Sequence, residues 1–201
     1  MDHIDRFERY SLNDPDNIVF VLINYVPEQF DMIFSKMEYV TAINYMAKAA
    51  NKLHIPVLYP VKSVEDESDL RRYLDEKLKI RMRGLPPKSS FDDRFRLEYD
   101  KYMPRKEMVL PVNSENIFND DKFKEYLFET SRKAIYLMGF QTEIEVHMSS
   151  LGAISNGMFP VVVSDATSTF SERTYFQALD LMSQVVEIID TRDLIKIWGD
   201  W

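Results

Sequence analysis

Short runs of β-branched, aliphatic and aromatic residues recur along this chain, and amphipathic stretches separate them. The first run is NIVFVLI (17–23), and a later one is HIPVLYPV (54–61). Uninterrupted apolar runs of this length are typical of strands that are buried on both faces, as in parallel sheets. Apolar residues at helical spacing between the two runs predict a helix from Lys36 to Leu53. Strand, helix and strand together predict one right-handed βαβ unit.

The same alternation continues to the end of the chain. Four further runs predict strands, namely EMVLPV (107–112), KAIYLMGF (133–140), FPVVVSDA (159–166) and VVEIID (185–190). Helical patterns lie between them, among others over 142–156 and 171–183. Six strands that alternate with helices predict a three-layer α/β/α domain with a six-stranded, mainly parallel sheet. Ligands bind to such sheets outside the carboxyl ends of the strands, which directs attention to the residues that follow each run.

The 201 residues fit a single domain, 1–201, with a charged helical insertion at about 62–106. Within it, residues 71–83 carry six lysines and arginines against Asp75 and Glu76. This basic segment (Arg71–Arg83) stands apart in a chain whose net charge is −8. We favour a solvated helix face as its interpretation. The other interpretation is a surface that docks an acidic partner or an anionic ligand.

Composition argues against several classes of function. An acidic chain does not predict nucleic acid as a partner. The chain has no cysteine, which excludes disulfides, thiolate nucleophiles and cysteine metal sites. The longest apolar run, IVFVLI (18–23), is too short to cross a bilayer, and the charged first residues do not resemble a signal peptide. We therefore expect a soluble, cytoplasmic protein with no membrane partner.

Three stretches resemble the isochorismatase-like hydrolases. VLINYVPEQF (21–30) is similar to the first strand of that family, and HIPVLY (54–59) is similar to the second. The segment from Met138 to Leu179 is similar to the family pattern G-x-x-T-x-x-C-V followed by G-(Y/F)-x-V-x-V-x-x-D-A. The residues in register are Gly139, Thr142, Gly157, Asp165 and Ala166. The resemblance covers nearly the whole chain and implies the family's α/β fold.

The resemblance also implies where the family's catalytic residues should stand. Family members use an Asp–Lys–Cys triad, in which cysteine attacks an amide or related carbon and aspartate takes its proton. The aspartate position is Asn24 here, the lysine position is Val112 (or Pro111 if the alignment slips by one), and the cysteine position is Glu145. All three catalytic side chains are therefore replaced. The sequence leaves open whether Lys62, Lys88 or an arginine of residues 62–106 supplies the missing cation.

Other site residues follow from the same resemblance. The family's oxyanion hole implies backbone N–H donors at Gln141 and Glu145. We predict ligand contacts from Tyr25, Gln141, Thr142 and Asp165, of which Asp165 mainly orders the loop around the site. Neither a metal nor a cofactor is predicted, because the region after the second strand lacks the Asp-x-His of the nicotinamidase branch. Glu143 and His147 share a helical spacing, which is a weak signal for a metal.

Glu145 falls in the first turn of a predicted helix, near the positive end of the helix dipole. That location should lower the pKa of its carboxyl group unless desolvation prevails. The amide of Asn24 is expected to donate a hydrogen bond to Glu145, in place of the second carboxylate that the family would put there.

Two functions are compatible with these residues. The interpretation that the sequence favours is a non-catalytic family member, a pseudoenzyme that binds a small ligand or a protein partner. The alternative is a cysteine-independent hydrolase of a small amide, ester or vinyl ether, with Glu145 as general base. In either case the family resemblance implies a homo-oligomer, a dimer or higher.

Overall fold

One six-stranded sheet organises the protein. The computed structural model describes residues 8–63, 69–83 and 93–200. Its strands are β1 (Ile18–Ile23), β2 (Val57–Lys62), β3 (Val109–Val112), β4 (Ala134–Phe140), β5 (Phe159–Ser168) and β6 (Glu187–Ile189). They lie in the order β3-β2-β1-β4-β5-β6, and all five pairings between neighbours are parallel. The predicted α/β fold is confirmed.

Helices cover both faces of the sheet. Within the described residues they are α1 (Pro27–Phe30), α2 (Lys36–Leu53), α3 (Asp69–Met82), α4 (Asp93–Lys101), α5 (Asp121–Glu129), α6 (His147–Ser155), α7 (Glu172–Met182) and α8 (Thr191–Trp198). The predicted bounds of α2 agree with the structure. The helix predicted over 142–156 is instead a π-helical turn (Thr142–Val146) that continues into α6. None of the described helices is long and apolar enough to span a membrane.

Successive residues of β1 belong to two different apolar cores. Phe20 and Leu22 pack with α2 and α8 on one face of the sheet. Val19 and Val21 pack with α5, α6 and α7 on the other. Every residue of β1 and β4 is buried. Burial on both faces is the physical reason why these strands read as uninterrupted apolar runs.

The strand order reverses between β1 and β4. From β1 the chain adds β2 and then β3 on one side, and then returns to add β4, β5 and β6 on the other. Connections that leave a sheet in opposite directions open a crevice at the carboxyl ends of the strands where they diverge. Here that crevice lies beyond β1, β2 and β4.

The carboxyl end of β4 needs glycine at position 139. The register between β4 and β5 shifts between Leu137 and Gly139. Gly139 has a φ of +112°, and a Cβ atom there would lie 2.1 Å from the backbone oxygen of Ile23. Only a residue without a side chain lets β4 run this close to β1. This approach fixes the direction in which the chain leaves β4 toward the crevice.

The last helix is fastened to the body at both ends. At its start, the backbone N–H of Thr191 donates to Asp165 Oδ1 at 3.0 Å. At its end, Trp198 packs on the rings of Phe20 and Tyr136, and its indole Nε1 donates to the Asn13 carbonyl at 2.9 Å. The C-terminal segment therefore belongs to the core.

Candidate active site

A pocket of about 270 Å³ opens at the carboxyl ends of β2 and β4. Two walls enclose it. The inner wall comes from strand ends and the turn after β4, and the outer wall comes from α3. The lining residues are Lys62, Leu74, Asp75, Lys77, Leu78, Arg81, Glu115, Gln141, Ile144 and Glu145.

The turn after β4 directs the side chain of Glu145 back toward Gln141, the residue just before the turn. The Phe140–Gln141 peptide bond is cis, and the π-helical turn Thr142–Val146 follows it. The backbone N–H of Gln141, directly before this turn, donates to Glu145 Oε2 at 3.1 Å. The Glu145 side chain is buried, with 6% of its surface exposed. The Glu145 carboxylate thus accepts the Gln141 N–H, one of the two backbone donors that the family resemblance assigned to the oxyanion hole.

Burial governs the ionisation of Glu145. Desolvation raises the pKa of its carboxyl group from 4.5 to about 7. The N–H of Gln141, the ammonium group of Lys62 and the backbone N–H of Glu145 itself each oppose that rise. We predicted a lowered pKa unless desolvation prevailed, and desolvation does prevail. A carboxyl group with such a pKa exchanges protons at neutral pH.

Lys62 supplies a cation to the same pocket. It is the last residue of β2, and its ammonium group forms an ion pair with the carboxylate of Glu115. Both side chains are largely buried, with 17% and 20% of their surfaces exposed. Of the candidates that the sequence left open, Lys62 and Arg81 line the pocket. Lys88 lies outside the described residues.

Val112 has no part in the pocket. It pairs with Lys62 in the β2–β3 register, so the two residues end neighbouring strands side by side. Its side chain is buried among the apolar residues beneath the sheet. Lys62 thus lies one strand away from the position that the resemblance assigned to lysine.

Asn24 ties three strand ends together. Its Oδ1 accepts a hydrogen bond from the backbone N–H of Lys62 at 2.8 Å, and its Nδ2 donates to the Phe140 carbonyl at 3.1 Å. Its φ of 51° is a left-handed conformation that asparagine tolerates better than most residues. Our prediction that this amide donates to Glu145 is wrong, because its hydrogen bonds go to the backbone of β2 and β4 instead.

Of the four predicted ligand contacts, Gln141 lines the pocket and the other three lie elsewhere. The hydroxyl of Tyr25 donates to the Tyr99 carbonyl at 2.8 Å, beneath α4. Thr142 shares a hydrogen bond of 2.9 Å with the hydroxyl of Thr167 on β5. Asp165 holds the start of α8, as described above.

The basic segment contributes to the pocket wall through α3. Arg81 lines the pocket and forms an ion pair with Glu143, and Lys77 lines it too. Because Glu143 holds Arg81, it serves here to fasten α3. The described residues contain no group of three or more potential metal ligands. Docking of an acidic partner on this segment stays a prediction.

Glu115 was not among the residues predicted from the sequence. The available signal was its location three residues after the β3 run, at the edge of the sheet where ligands bind. Its partner Lys62 is 53 positions earlier in the chain, so no local pattern joins them.

Comparison with known proteins identifies the family. A family model described as the isochorismatase domain matches residues 20–193. The chain belongs to the isochorismatase family. Over 69 residues, 34% of its length, this isochorismatase-family chain is 35% identical to the probable hydrolase YcaC of Escherichia coli (strain K12). That match spans 33% of the curated relative.

Solved structures of the family share the fold. The Escherichia coli YcaC gene product, described as an octameric hydrolase of unknown specificity, aligns over 94% of this chain and 82% of its own, with a TM-score of 0.63 and 18% identity. A cysteine hydrolase from Pseudomonas syringae pv. phaseolicola 1448A aligns over 92% and 93%, with a TM-score of 0.70 and 12% identity.

Proposed function

We propose that the pocket is an altered active site and that this isochorismatase-family protein is a cysteine-independent hydrolase of a small amide or ester. One observation carries the proposal: a buried carboxyl group, Glu145, lines the pocket with a pKa of about 7. A strongly shifted group in a cleft is typical of catalytic sites. The name of the curated relative, a probable hydrolase, supports the reaction class.

Glu145 can act as a general base with the oxygen that Gln141 does not hold. Oε2 accepts from the Gln141 N–H, which anchors that oxygen. Oε1 can then take a proton from water as the water oxygen bonds to an acyl carbon. The same carboxyl group returns that proton to the leaving amine or alcohol as the carbon–nitrogen or carbon–oxygen bond breaks. A pKa near 7 suits both transfers at neutral pH. The protonated form could also serve as acid toward a vinyl ether.

The test is hydrolysis by the purified protein of a panel of amides, esters and vinyl ethers, beside the Glu145→Gln variant. Glutamine preserves shape and can still accept from Gln141, but it cannot take a proton. We expect kcat to fall by about 10²–10⁴-fold in the variant, the usual contribution of a general base. Turnover that is equal in both proteins would refute the role of Glu145.

Binding without turnover is the second candidate. It is favoured by the position of the Glu145 carboxylate, which the backbone N–H groups of both Gln141 and Glu145 stabilise. The side chain thus fills the place of a substrate oxyanion. If no compound in the panel is hydrolysed above the variant's rate, this candidate is the better account. The pocket would then serve as a ligand site in a pseudoenzyme.

We also propose that the chain forms homo-oligomers through the outer faces of α6 and α7. The two helices are neighbours, because the Ser150 hydroxyl contacts the sulfur of Met182 at 3.9 Å. Their outer faces and the residues just after α7 carry large apolar side chains that are 42–63% exposed, namely Met148, Leu151, Ile154, Phe176, Leu181 and Val185. Large apolar side chains exposed on two neighbouring helices are typical of interaction sites. The octameric state described for the YcaC gene product supports a second copy as the occupant.

A further inference from the structure

The proposed reaction needs a hydrogen-bond donor for the oxyanion that forms on the substrate. When water adds to an acyl carbon, the electron pair of the carbonyl bond moves to oxygen, and a preorganised donor must stabilise it. The N–H of Gln141 is the obvious donor by position. It is already bound to Glu145 Oε2 at 3.1 Å, and the N–H of Glu145, the other donor that the resemblance implies, stabilises the same carboxylate, so the pocket must supply another donor.

Among the described residues, three cationic side chains line the pocket, and they differ in burial and in the partners that they already bind. Arg81 is bound to Glu143, with 41% of its side chain exposed. Lys77 is exposed on α3, and its ammonium lies 5.5 Å from the centre of the Tyr73 ring. Lys62 has 17% of its side chain exposed and lowers the pKa of Glu145 by its charge. A buried cation acts through a lower dielectric, so its effect on a nearby anion is larger.

We propose that Lys62 is a catalytic residue that stabilises the oxyanion of the substrate, and that Glu115 is the residue that positions it. This inference rests on the proposed hydrolase function. An ammonium group has three N–H donors, so the bond to Glu115 leaves donors that can face the substrate. Glu145 removes the proton from water on one side of the acyl carbon, and Lys62 meets the developing charge on the carbonyl oxygen.

The fold holds this pair in place from both ends. The backbone of Lys62 is fixed by Asn24 at 2.8 Å, and the next N–H, of Ser63, donates to the Val112 carbonyl at 2.8 Å. The backbone of Glu115 is held by the Ser149 hydroxyl, which donates to its carbonyl at 3.4 Å. A charged group whose backbone and partner are both fixed is preorganised, and preorganisation makes electrostatic stabilisation effective.

Two measurements test the assignment. The first needs no turnover: methylphosphonate, a small tetrahedral anion that mimics the oxyanion, is titrated into the wild type and variants and followed by ³¹P NMR. We expect Lys62→Met to weaken binding at least tenfold. Lys62→Arg keeps the charge and should recover part of the affinity, and Lys79→Met on the exposed side of α3 should change it by less than threefold. Equal affinity of wild type and Lys62→Met would overturn the role of Lys62.

The second measurement uses any substrate that the hydrolysis panel identifies. We expect Lys62→Met to lower kcat by about 10²–10³-fold, as loss of an oxyanion donor does elsewhere. Glu115→Gln should lower kcat with KM changed less than threefold, and Glu115→Asp should restore part of it. If kcat is unchanged in both the Lys62 and Glu115 variants, the inference fails while hydrolysis by Glu145 stands. If no substrate is found but Lys62 governs methylphosphonate binding, the hydrolase proposal fails and the anion-binding role of Lys62 stands.

Discussion

Asn24 Oδ1 accepts the backbone N–H of Lys62 at 2.8 Å. The residue directly after β1 therefore fixes the backbone of the residue that ends β2. The other end of the same amide holds the Phe140 carbonyl, directly before the turn that carries Glu145. The neutral side chain of Asn24 thus sets the relative positions of Lys62 and of the turn that carries Glu145.

This arrangement predicts that Asn24→Asp destabilises the protein. A carboxylate can still accept from Lys62, but it has no N–H to donate to the Phe140 carbonyl. We expect a loss of about 1–2 kcal/mol in the free energy of unfolding, the usual cost of leaving a partly buried acceptor without its donor. Urea denaturation measures it. Asn17→Asp is the control, because the Asn17 amide donates to the Ser11 carbonyl at an exposed site. An equal loss in both variants would contradict the prediction.

Glu145 predicts a particular dependence of stability on pH. Its folded pKa of about 7 lies above the ordinary value of 4.5, so the folded state binds the proton more tightly than the unfolded state does. Stability from this group is fully present below pH 4.5 and is lost as pH rises through 7, by roughly 3 kcal/mol. The side chain of Glu145→Gln does not titrate, so the variant should not lose this stability. Its free energy of unfolding relative to that of the wild type should therefore increase between pH 4.5 and 8.

Urea denaturation at pH 4.5, 6 and 8 checks this difference. Glu125→Gln, on the exposed side of α5, should follow the wild-type curve. A constant difference between Glu145→Gln and the wild type at all three pH values would show that Glu145 ionises as readily when folded as when unfolded.

We expect Gly139→Ala to lower the free energy of unfolding more than Gly157→Ala does, although both glycines have a positive φ. Alanine at 139 meets both a φ of +112° and the Ile23 oxygen at 2.1 Å. Alanine at 157 meets a φ of +73° with no atom within 4 Å, so that variant carries conformational strain alone. We expect about 1–2 kcal/mol for Gly157→Ala and clearly more for Gly139→Ala. Thermal denaturation of both compares them directly, and similar losses would show that β4 can move away from β1.

If the exposed faces of α6 and α7 form the subunit interface, charged substitutions there should dissociate the oligomer. Leu151→Glu and Leu181→Glu place charges on apolar surface that we assign to the subunit interface. Each should shift the protein toward a smaller species in sedimentation velocity. Leu97→Glu is the matched control, because Leu97 is 70% exposed on α4, which packs on the other face of the sheet. Dissociation by Leu97→Glu, with the other two variants unchanged, would move the interface to α4.

Much of the fold could be predicted because its signals are local. The run at 17–23 predicted β1, since a strand covered on both faces must be apolar throughout. Apolar spacing predicted Lys36–Leu53 as a helix, and α2 has these bounds. The family pattern placed Gly139 in register, and the close approach to Ile23 gives that glycine its physical reason.

The site depended on contacts that no local pattern contains. By itself, the sequence determined that Glu145 comes after the run that forms β4 and Lys62 directly after the run that forms β2, because strand ends can be read from apolar runs. Only the tertiary structure decided that Glu115 meets Lys62, because parallel pairing of β2 with β3 brings their ends together. Likewise, the pKa of Glu145 rises because the folded protein removes its carboxylate from water, and that desolvation exists only once α3, β2 and the turn after β4 have closed around it.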